Sequence, residues 1–219
     1  MKEEAITNLI ELYHLDEAGF APTLPVSYTW TRVGVRAIVP YEAPEGRRCN
    51  VIGALAPFGD EPRLAYATRT TSFKGGDVLE FIWTEVGRMT TPLGVVLEGF
   101  IREKRCVVVL DNYAPHHGRE IREQVSALEA AGIELFYLPP YSPELNLIEP
   151  LWRHIKHEQI PIRSHKTADE LKAAVEAALH KSATALVLQP RRPAAIPTAT
   201  AYAIAHATTH NANCLSEAA

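Results

Sequence analysis

The sequence of 219 residues has few cysteines and no long apolar run. Its three cysteines, Cys49, Cys106 and Cys214, lie far apart and form no CxxC or Cys/His cluster, which argues against a disulfide framework and a structural zinc site. We expect them to be small buried side chains. No stretch approaches the roughly 18 to 20 apolar residues of a membrane span, and the N-terminus lacks the layout of a signal peptide. A soluble cytoplasmic protein without a membrane partner is expected.

An excess of positive charge is also missing. The chain has 22 Lys plus Arg against 26 Asp plus Glu, a formal net charge of -4. A protein whose main function is to bind DNA usually has more basic than acidic residues, so any nucleic-acid function has to account for this negative net charge. The length and the 47% hydrophobic content are sufficient for one domain with its own core.

Apolar periodicity predicts an α/β domain. Short turns between the first three strands favour an antiparallel meander, and the later strand–helix–strand pattern favours parallel pairing, so the sheet is expected to be mixed. The predicted strands are Leu9–Leu15, Cys49–Ala56, Arg63–Thr70, Cys106–Leu110 and Ile133–Leu138. The predicted helices are Gly75–Met89, Gly118–Ala131, Leu147–Glu158 and Ala168–Lys181, the last capped by Thr167. Residues 190–219, rich in Ala and Thr, are expected to form a poorly ordered tail.

Three acidic residues fall at the ends of predicted elements. Asp16 closes the first strand, Asp111 follows the most apolar strand, and Glu149 lies in the first turn of a late helix. The carboxyl ends of neighbouring parallel strands meet at one edge of a sheet, where sites of open α/β sheets usually lie. Carboxylates gathered there repel one another unless a cation neutralises them, and oxygen ligands of this kind suit Mg²⁺. Two such ions can activate an attacking oxygen and stabilise a leaving oxygen in phosphodiester chemistry.

Each acid also has an ordinary structural interpretation. Asp16 and Asp111 could each begin a turn by accepting a hydrogen bond from the following backbone. Glu149 stands three residues after Asn146, which is the spacing of a capping box at a helix N-terminus. The residues alone leave both interpretations open.

Two longer segments resemble a known family. Residues Asp111 to His116 (DNYAPH) and Leu138 to Trp152 (LPPYSPELNLIEPLW) are similar to the signature of the insertion-sequence-630-type, mariner-like DDE (Asp-Asp-Glu) transposases. That signature is Asp-Asn-Ala-x-x-His followed by Leu-Pro-Pro-Tyr-Ser-Pro-Asp-Leu-Asn-Pro-Ile-Glu-x-x-Trp. Glu144 replaces Asp and Leu147 replaces Pro, and neither departure touches a catalytic position. A weaker similarity covers Asp16 to Phe20 (DEAGF).

The resemblance implies a ribonuclease-H-like, integrase-type fold with a mixed five-stranded sheet flanked by helices. It implies that Asp16, Asp111 and Glu149 are the catalytic residues and hold two Mg²⁺ or Mn²⁺ ions, with Asn112 and His116 in supporting roles. The implied reaction is hydrolysis of the phosphodiester at the terminal inverted repeats of a transposon. The freed 3′-hydroxyl then attacks target DNA, typically at TA. Residues 1–163 would be the catalytic domain and 164–189 a helical extension.

Several neighbours of these acids have alternatives of their own. Helical spacing places Arg153 and Lys156 near the face of Glu149, where they could bind the phosphates of DNA or form a solvated charged face. Trp152 is either a core anchor or a stacking platform. His116 could orient phosphate, water or Asp111, or be an ordinary residue at a helix N-terminus.

The family normally carries an N-terminal helix-turn-helix region, and this sequence begins only a few residues before its first predicted strand. We expect that region to be a separate or upstream-frame product, or the chain to be a remnant. A homodimer on DNA and a place at the bacterial nucleoid follow from the resemblance. A catalytic domain that leaves the grip on DNA to another module need not be basic, and alone it should bind DNA weakly. The alternatives are an inactive or co-opted fragment that acts only as a binding protein, and a ribonuclease-H-like nuclease without transposition.

Overall fold

Five strands form a single mixed sheet in the order β3-β2-β1-β4-β5. The computed structural model describes residues 1–22, 30–36, 48–88, 99, 101–160 and 165–188. The strands are β1 (Glu11–Phe20), β2 (Cys49–Ala56), β3 (Arg63–Arg69), β4 (Cys106–Leu110) and β5 (Ile133–Tyr137). The pairs β1–β2 and β2–β3 are antiparallel, whereas β1–β4 and β4–β5 are parallel. The predicted meander and the predicted mixed sheet are therefore confirmed.

Helices cover both faces of this sheet. They are α1 (Lys2–Ile6), α2 (Gly75–Phe81), α3 (Arg119–Ala130), α4 (Glu149–His154) and α5 (Ala168–Leu188). Both α2 and α4 continue as π-helical turns, Ile82–Val86 and Ile155–Gln159, and a 3₁₀ turn, Ala114–His117, leads into α3. Thr167 caps α5 as predicted, because its Oγ1 accepts a hydrogen bond from the backbone N–H of Glu170 at 3.1 Å.

The strand alternation divides the core between the two faces. Tyr13 and Leu15 of β1 pack with α2 and α3 in one buried cluster. Ala18 and Phe20 belong to a second cluster with Trp152 and the buried residues of α5. All five residues of β4 are buried, as expected for an apolar β-branched strand that is covered on both faces. The site described below lies at the carboxyl end of β4, next to the central strand β1.

The prediction that Asp16 closes the first strand is wrong, because β1 continues to Phe20. The parallel pairing with β4 ends at His14 and Val109. Antiparallel pairing with β2 continues to Phe20, so it keeps the backbone hydrogen-bonded beyond Asp16. Asp16 thus stands on a continuous strand, just past the end of its shorter neighbour.

The capping-box interpretation of Asn146 and Glu149, left open from the sequence, does not hold in the structure. The helix begins at Glu149 with Ile148 at the N-cap position, and no side chain caps it. Asn146 is buried instead, and its Nδ2 donates a hydrogen bond at 3.0 Å to the carbonyl oxygen of Leu15 in β1. The amide therefore joins two distant segments, which the local spacing of a capping box could not reveal.

Cys49 and Cys106 are free and buried, as expected, and Cys214 lies outside the described residues. The tail predicted over residues 190–219 lies outside them as well. Met1–Val187 forms a compact unit. In the described part of the chain, no helix combines the length and apolar character that crossing a membrane would require.

Candidate active site at the carboxyl edge of the sheet

The three predicted acids line one cavity of about 440 Å³. Asp16 comes from β1, Asp111 follows the last residue of β4, and Glu149 is the first residue of α4. The opposite wall is the segment 138–143, which leads from β5 towards α4. The parallel pairing of β1 and β4 brings the first two acids to the same edge, and the loop after β5 brings the third.

Asp111 is held by a buried histidine. His116 is fully buried, and its Nδ1 lies 2.7 Å from Oδ1 of Asp111. Its Nε2 lies 3.1 Å from Oε2 of Glu17, so the ring joins two carboxylates. The backbone N–H of Tyr113 donates to the same Oδ1 of Asp111 at 2.9 Å, which is the turn contact considered from the sequence. Both contacts fall on Oδ1, so Oδ2 is the oxygen of this carboxylate that they do not use.

The two carboxylates keep His116 charged. Burial opposes the charge, but the hydrogen bonds to Asp111 and Glu17, together with their negative charges, raise the pKa of His116 to about 10. In turn, the hydrogen bond from His116 lowers the pKa of Asp111. Asp111 is therefore ionised throughout the neutral range, with a permanent positive charge behind it.

Asp16 experiences the opposite environment. Burial is the main cause that raises its pKa to about 7, and the negative charges of Glu149, Glu17 and Asp111 add to the effect. Trp152 donates a hydrogen bond from Nε1 to Oδ2 of Asp16 at 3.1 Å. The side chain of Asp16 lies on the α4 face of the sheet, whereas Glu17 points to the face of His116.

Hydrogen bonds to backbone carbonyls fix the loop that delivers Glu149. The Nδ2 of Asn112 donates to the carbonyl oxygen of Leu138 at 2.5 Å, which ties the end of β4 to the start of the loop. Near the end of the loop, the Asn146 side chain donates to Leu15. Glu149 is partly buried at the cavity wall. Both ends of the Pro-rich loop are thus anchored to the strands that carry the other two acids.

The donor set fits divalent cations. Three carboxylates open to one cavity, and their mutual repulsion contributes to the raised pKa of Asp16. Among the residues that the structure describes, no group of three or more His, Cys, Asp or Glu side chains is close enough to hold one ion by itself. Mg²⁺ commonly uses only one or two carboxylates and completes its shell with water and phosphate oxygens. An open cleft of separate carboxylates suits that mode of binding better than a closed protein cage would.

The two predicted DNA-binding residues lie further along the same helical segment. Arg153 in α4 is exposed. Lys156 is partly buried, and its Nζ lies 5.4 Å from the centre of the Phe20 ring, a cation–π distance. Trp152, which precedes Arg153 in α4, is a core anchor with 2% of its surface exposed.

Three contributions to the site were missed from the sequence: the carboxylate of Glu17, the imidazole of His14 and the indole N–H of Trp152. His14 is buried and burial lowers its pKa to about 4, so the neutral ring can accept the backbone N–H of Leu147 at 3.2 Å. The two-residue period of a strand places Glu17 on the face opposite Asp16, but the predicted strand ended at Leu15, so this signal was not used. The identity of its partner, His116, depends on folding and has no local signal.

Comparison with known proteins agrees with this geometry. The family described as DDE superfamily endonuclease matches residues 11–172. The Mos1 strand transfer complex is 14% identical with a TM-score of 0.52, and the match covers 84% of this chain and 55% of that chain. The Mos1 transposase paired-end complex with the left transposon end is 14% identical with a TM-score of 0.54, covering 84% and 56%. The Mos1 mariner paired-end complex with Mn is 12% identical with a TM-score of 0.52, covering 83% and 57%.

The chain thus spans a little over half the length of these Mos1 chains. No curated protein sequence matches it. At these identities the structural likeness concerns the fold, and the predicted ribonuclease-H-like class is confirmed. Because the family match covers most of the sequence, this chain belongs to the DDE superfamily endonucleases.

Proposed function

We propose that the chain is the catalytic domain of a DNA transposase, which hydrolyses phosphodiesters at transposon ends and transfers the freed strand into target DNA. The observation that carries the proposal is the convergence of Asp16, Asp111 and Glu149 on one cavity at the carboxyl edge of the sheet. The family match covers all three positions. The Mos1 complexes with a similar fold include a strand transfer complex and a paired-end complex with transposon DNA, which makes this chemistry the natural candidate.

Asp16, Asp111 and Glu149 would hold two divalent ions, Mg²⁺ or Mn²⁺. When bound, such ions activate an attacking oxygen and stabilise the leaving oxygen of an in-line displacement. A Mos1 complex of similar fold contains Mn. Asp111 offers an ionised carboxylate whose orientation is fixed by His116. Burial and the neighbouring carboxylates disfavour ionisation of Asp16. A bound cation would offset those charges and make the ionised carboxylate a strong ligand.

A transposase domain must also contact the DNA that flanks the scissile bond. Arg153 and Lys156 follow Glu149 on the same helical segment and would contact phosphates that flank the scissile bond. With a net charge of -4, the domain would depend on the metal ions and on a helix-turn-helix module for most of its affinity for DNA. We expect it to act as a homodimer that joins two ends, to insert at TA, and to work at the nucleoid of a bacterial cell.

The test is cleavage of labelled duplexes that carry the inverted repeats flanking the gene, in Mg²⁺ or Mn²⁺, with the helix-turn-helix module added. Cleavage at the repeat ends followed by joining to a target supports a transposase. Cleavage without dependence on the repeats indicates a nuclease of the same fold. Absence of both cleavage and joining under all these conditions contradicts the proposal and favours a protein that only binds.

A further inference from the structure

Three hydrogen bonds join the segment that carries Glu149 to β1, and they end on three consecutive residues, His14, Leu15 and Asp16. They run from Asn146 Nδ2 to the carbonyl oxygen of Leu15 (3.0 Å), from the backbone N–H of Leu147 to Nδ1 of His14 (3.2 Å), and from Nε1 of Trp152 to Oδ2 of Asp16 (3.1 Å). Only the third bond ends on one of the three acids of the cavity.

The indole of Trp152 has little freedom to move. It is 2% exposed and packs in the second core cluster with Ile148 and Ile155. Its ring lies over Gly53 of β2, and Gly53 is the register partner of Asp16 in the antiparallel pair. A Cβ atom at Gly53 would lie 2.6 Å from Cη2 and 2.8 Å from Cζ2 of the indole. The missing side chain at Gly53 therefore makes room for the ring beside Asp16.

A buried indole N–H needs an acceptor, and here the acceptor is the carboxylate to which we assign metal binding. Metal-ligating carboxylates are commonly oriented by hydrogen bonds from neighbouring groups. The bond restricts where Oδ2 can lie and so limits rotation of the carboxylate. Trp152 also stands three residues after Glu149 in α4, so the same side chain couples the position of Asp16 to that of Glu149.

We propose that Trp152 is a positioning residue of the metal site: its Nε1–H orients the Asp16 carboxylate and sets its place relative to Glu149. This inference rests on the proposed function, because it assumes that Asp16 binds the cation. A purely structural Trp152 would need only its ring, since packing against Gly53 and Ile148 does not involve the N–H.

The substitution Trp152→Phe separates these roles, because phenylalanine keeps an aromatic ring and removes the donor. We expect it to weaken Mg²⁺ binding about 10- to 100-fold in calorimetric titrations, the usual range for groups that orient metal ligands. Trp83→Phe is the matched control, because Trp83 packs against the other core cluster, on the opposite face of the sheet. We expect its Mg²⁺ affinity to stay within about twofold of the wild type.

A second readout depends on the N–H itself. The chain has three tryptophans, so a ¹⁵N-labelled sample gives three indole N–H signals, which Trp30→Phe, Trp83→Phe and Trp152→Phe assign. The chemical shift of the Trp152 indole N–H should change when Mg²⁺ is added, whereas that of Trp83 should not. Gly53→Ala, which keeps the N–H but forces the ring away, should weaken Mg²⁺ binding in the same direction as Trp152→Phe.

The outcomes are distinct. If the wild type binds Mg²⁺, but Trp152→Phe binds it equally well and the Trp152 indole signal does not move, the positioning role is overturned and the proposed metal site stands. A wild type that binds no Mg²⁺ overturns the metal site and this inference with it. If Trp152→Phe does not fold, the indole signal of the wild type, assigned by the other two variants, decides the question.

Discussion

Asp16 and Asp111 lie at the same edge of the sheet, yet their surroundings are opposite. Asp111 is 44% exposed at its side chain and carries the buried, charged His116 directly behind it, so its pKa is lowered. Asp16 is more deeply placed, faces the indole of Trp152, and has its pKa raised to about 7. Two acids of one candidate site therefore need not be equivalent ligands. Asp111 is ionised across the neutral range, whereas Asp16 titrates near neutral pH, where a bound cation would favour its ionised form.

The strongest loss of activity is expected for substitution of any of the three acids. Under the proposed function, Asp16→Asn, Asp111→Asn and Glu149→Gln should each reduce DNA cleavage about 1,000-fold or more, because each would remove a carboxylate ligand of ions that stabilise the transition state. The measurement is the cleavage rate on repeat-end duplexes in Mn²⁺. Glu144→Gln, in the exposed part of the same Pro-rich loop, is the control and should retain activity. Comparable loss in the control would remove the distinction between these acids and their neighbours.

Substitutions of Asp16 and Asp111 should change the free energy of unfolding in opposite directions. Without metal at pH 7.5, Asp16→Asn should stabilise the fold by about 1 to 3 kcal/mol, because it removes a charge that burial and neighbouring carboxylates disfavour. Asp111→Asn should destabilise it by about 1 to 2 kcal/mol, because the buried His116 loses a partner, although the exposure of Asp111 limits the loss. Urea unfolding in EDTA measures both changes.

The gain in Asp16→Asn should also depend on pH. The folded pKa of Asp16 is about 7 and its ordinary value is 3.8, so the folded wild type holds more protons between these values. Its stability therefore falls as the pH rises through this window. The advantage of the variant should shrink as the pH is lowered towards 4. An advantage that is constant with pH would contradict the raised pKa.

Metal binding should follow the titration of Asp16 rather than that of Asp111. Protons compete with the cation, so the affinity for Mn²⁺ should fall about tenfold per pH unit as the pH drops below 7. If Asp111 governed the response, the affinity would hold well below pH 7, because the hydrogen bond from His116 lowers the pKa of Asp111. Electron paramagnetic resonance of free Mn²⁺ at a series of pH values distinguishes these outcomes.

A smaller effect is expected for Glu17, the second carboxylate that contacts His116. Glu17→Gln removes one of the two carboxylates that hold His116, so the pKa of His116 should fall from about 10 towards its ordinary value of 6.5. Charged His116 stabilises the fold below pH 6.5, and this stabilisation is lost as the pH rises towards 10. Glu17→Gln should reduce the stabilisation by about 1 kcal/mol. Titration of the ring by nuclear magnetic resonance gives the pKa. Glu123→Gln, on the exposed face of α3, should leave it unchanged.

The fold was largely predictable from local patterns. The apolar runs of β4 and β2 carry their own signals, because burial on both faces dictates apolar residue types. Errors arose where tertiary pairing extends an element. The length of β1 depends on its neighbour β2, which no pattern within residues 9–20 records. Asp111 and Glu149 were predicted as site residues from the longer family signature, and Asp16 from its position near the end of a predicted strand and a weaker similarity.

The supporting contacts could not be predicted in the same way. Asn146 has the local spacing of a helix cap, but its amide bonds to Leu15, 131 residues away in sequence. The pairing of Trp152 with Asp16 and of His116 with Glu17 likewise joins segments about a hundred residues apart or more. Such contacts depend on the packing of α4 and α3 against the sheet, and a single sequence contains no periodic signal for them.

The most direct test of the central claim is a Mn²⁺ titration, followed by electron paramagnetic resonance, of the wild type and of variants at the three acids. We expect the wild type and Glu144→Gln to bind Mn²⁺ alike, and Asp16→Asn, Asp111→Asn and Glu149→Gln each to lose most of that binding. Equal binding by the wild type and all three variants would show that these carboxylates do not hold the cation, and would contradict the proposed metal site.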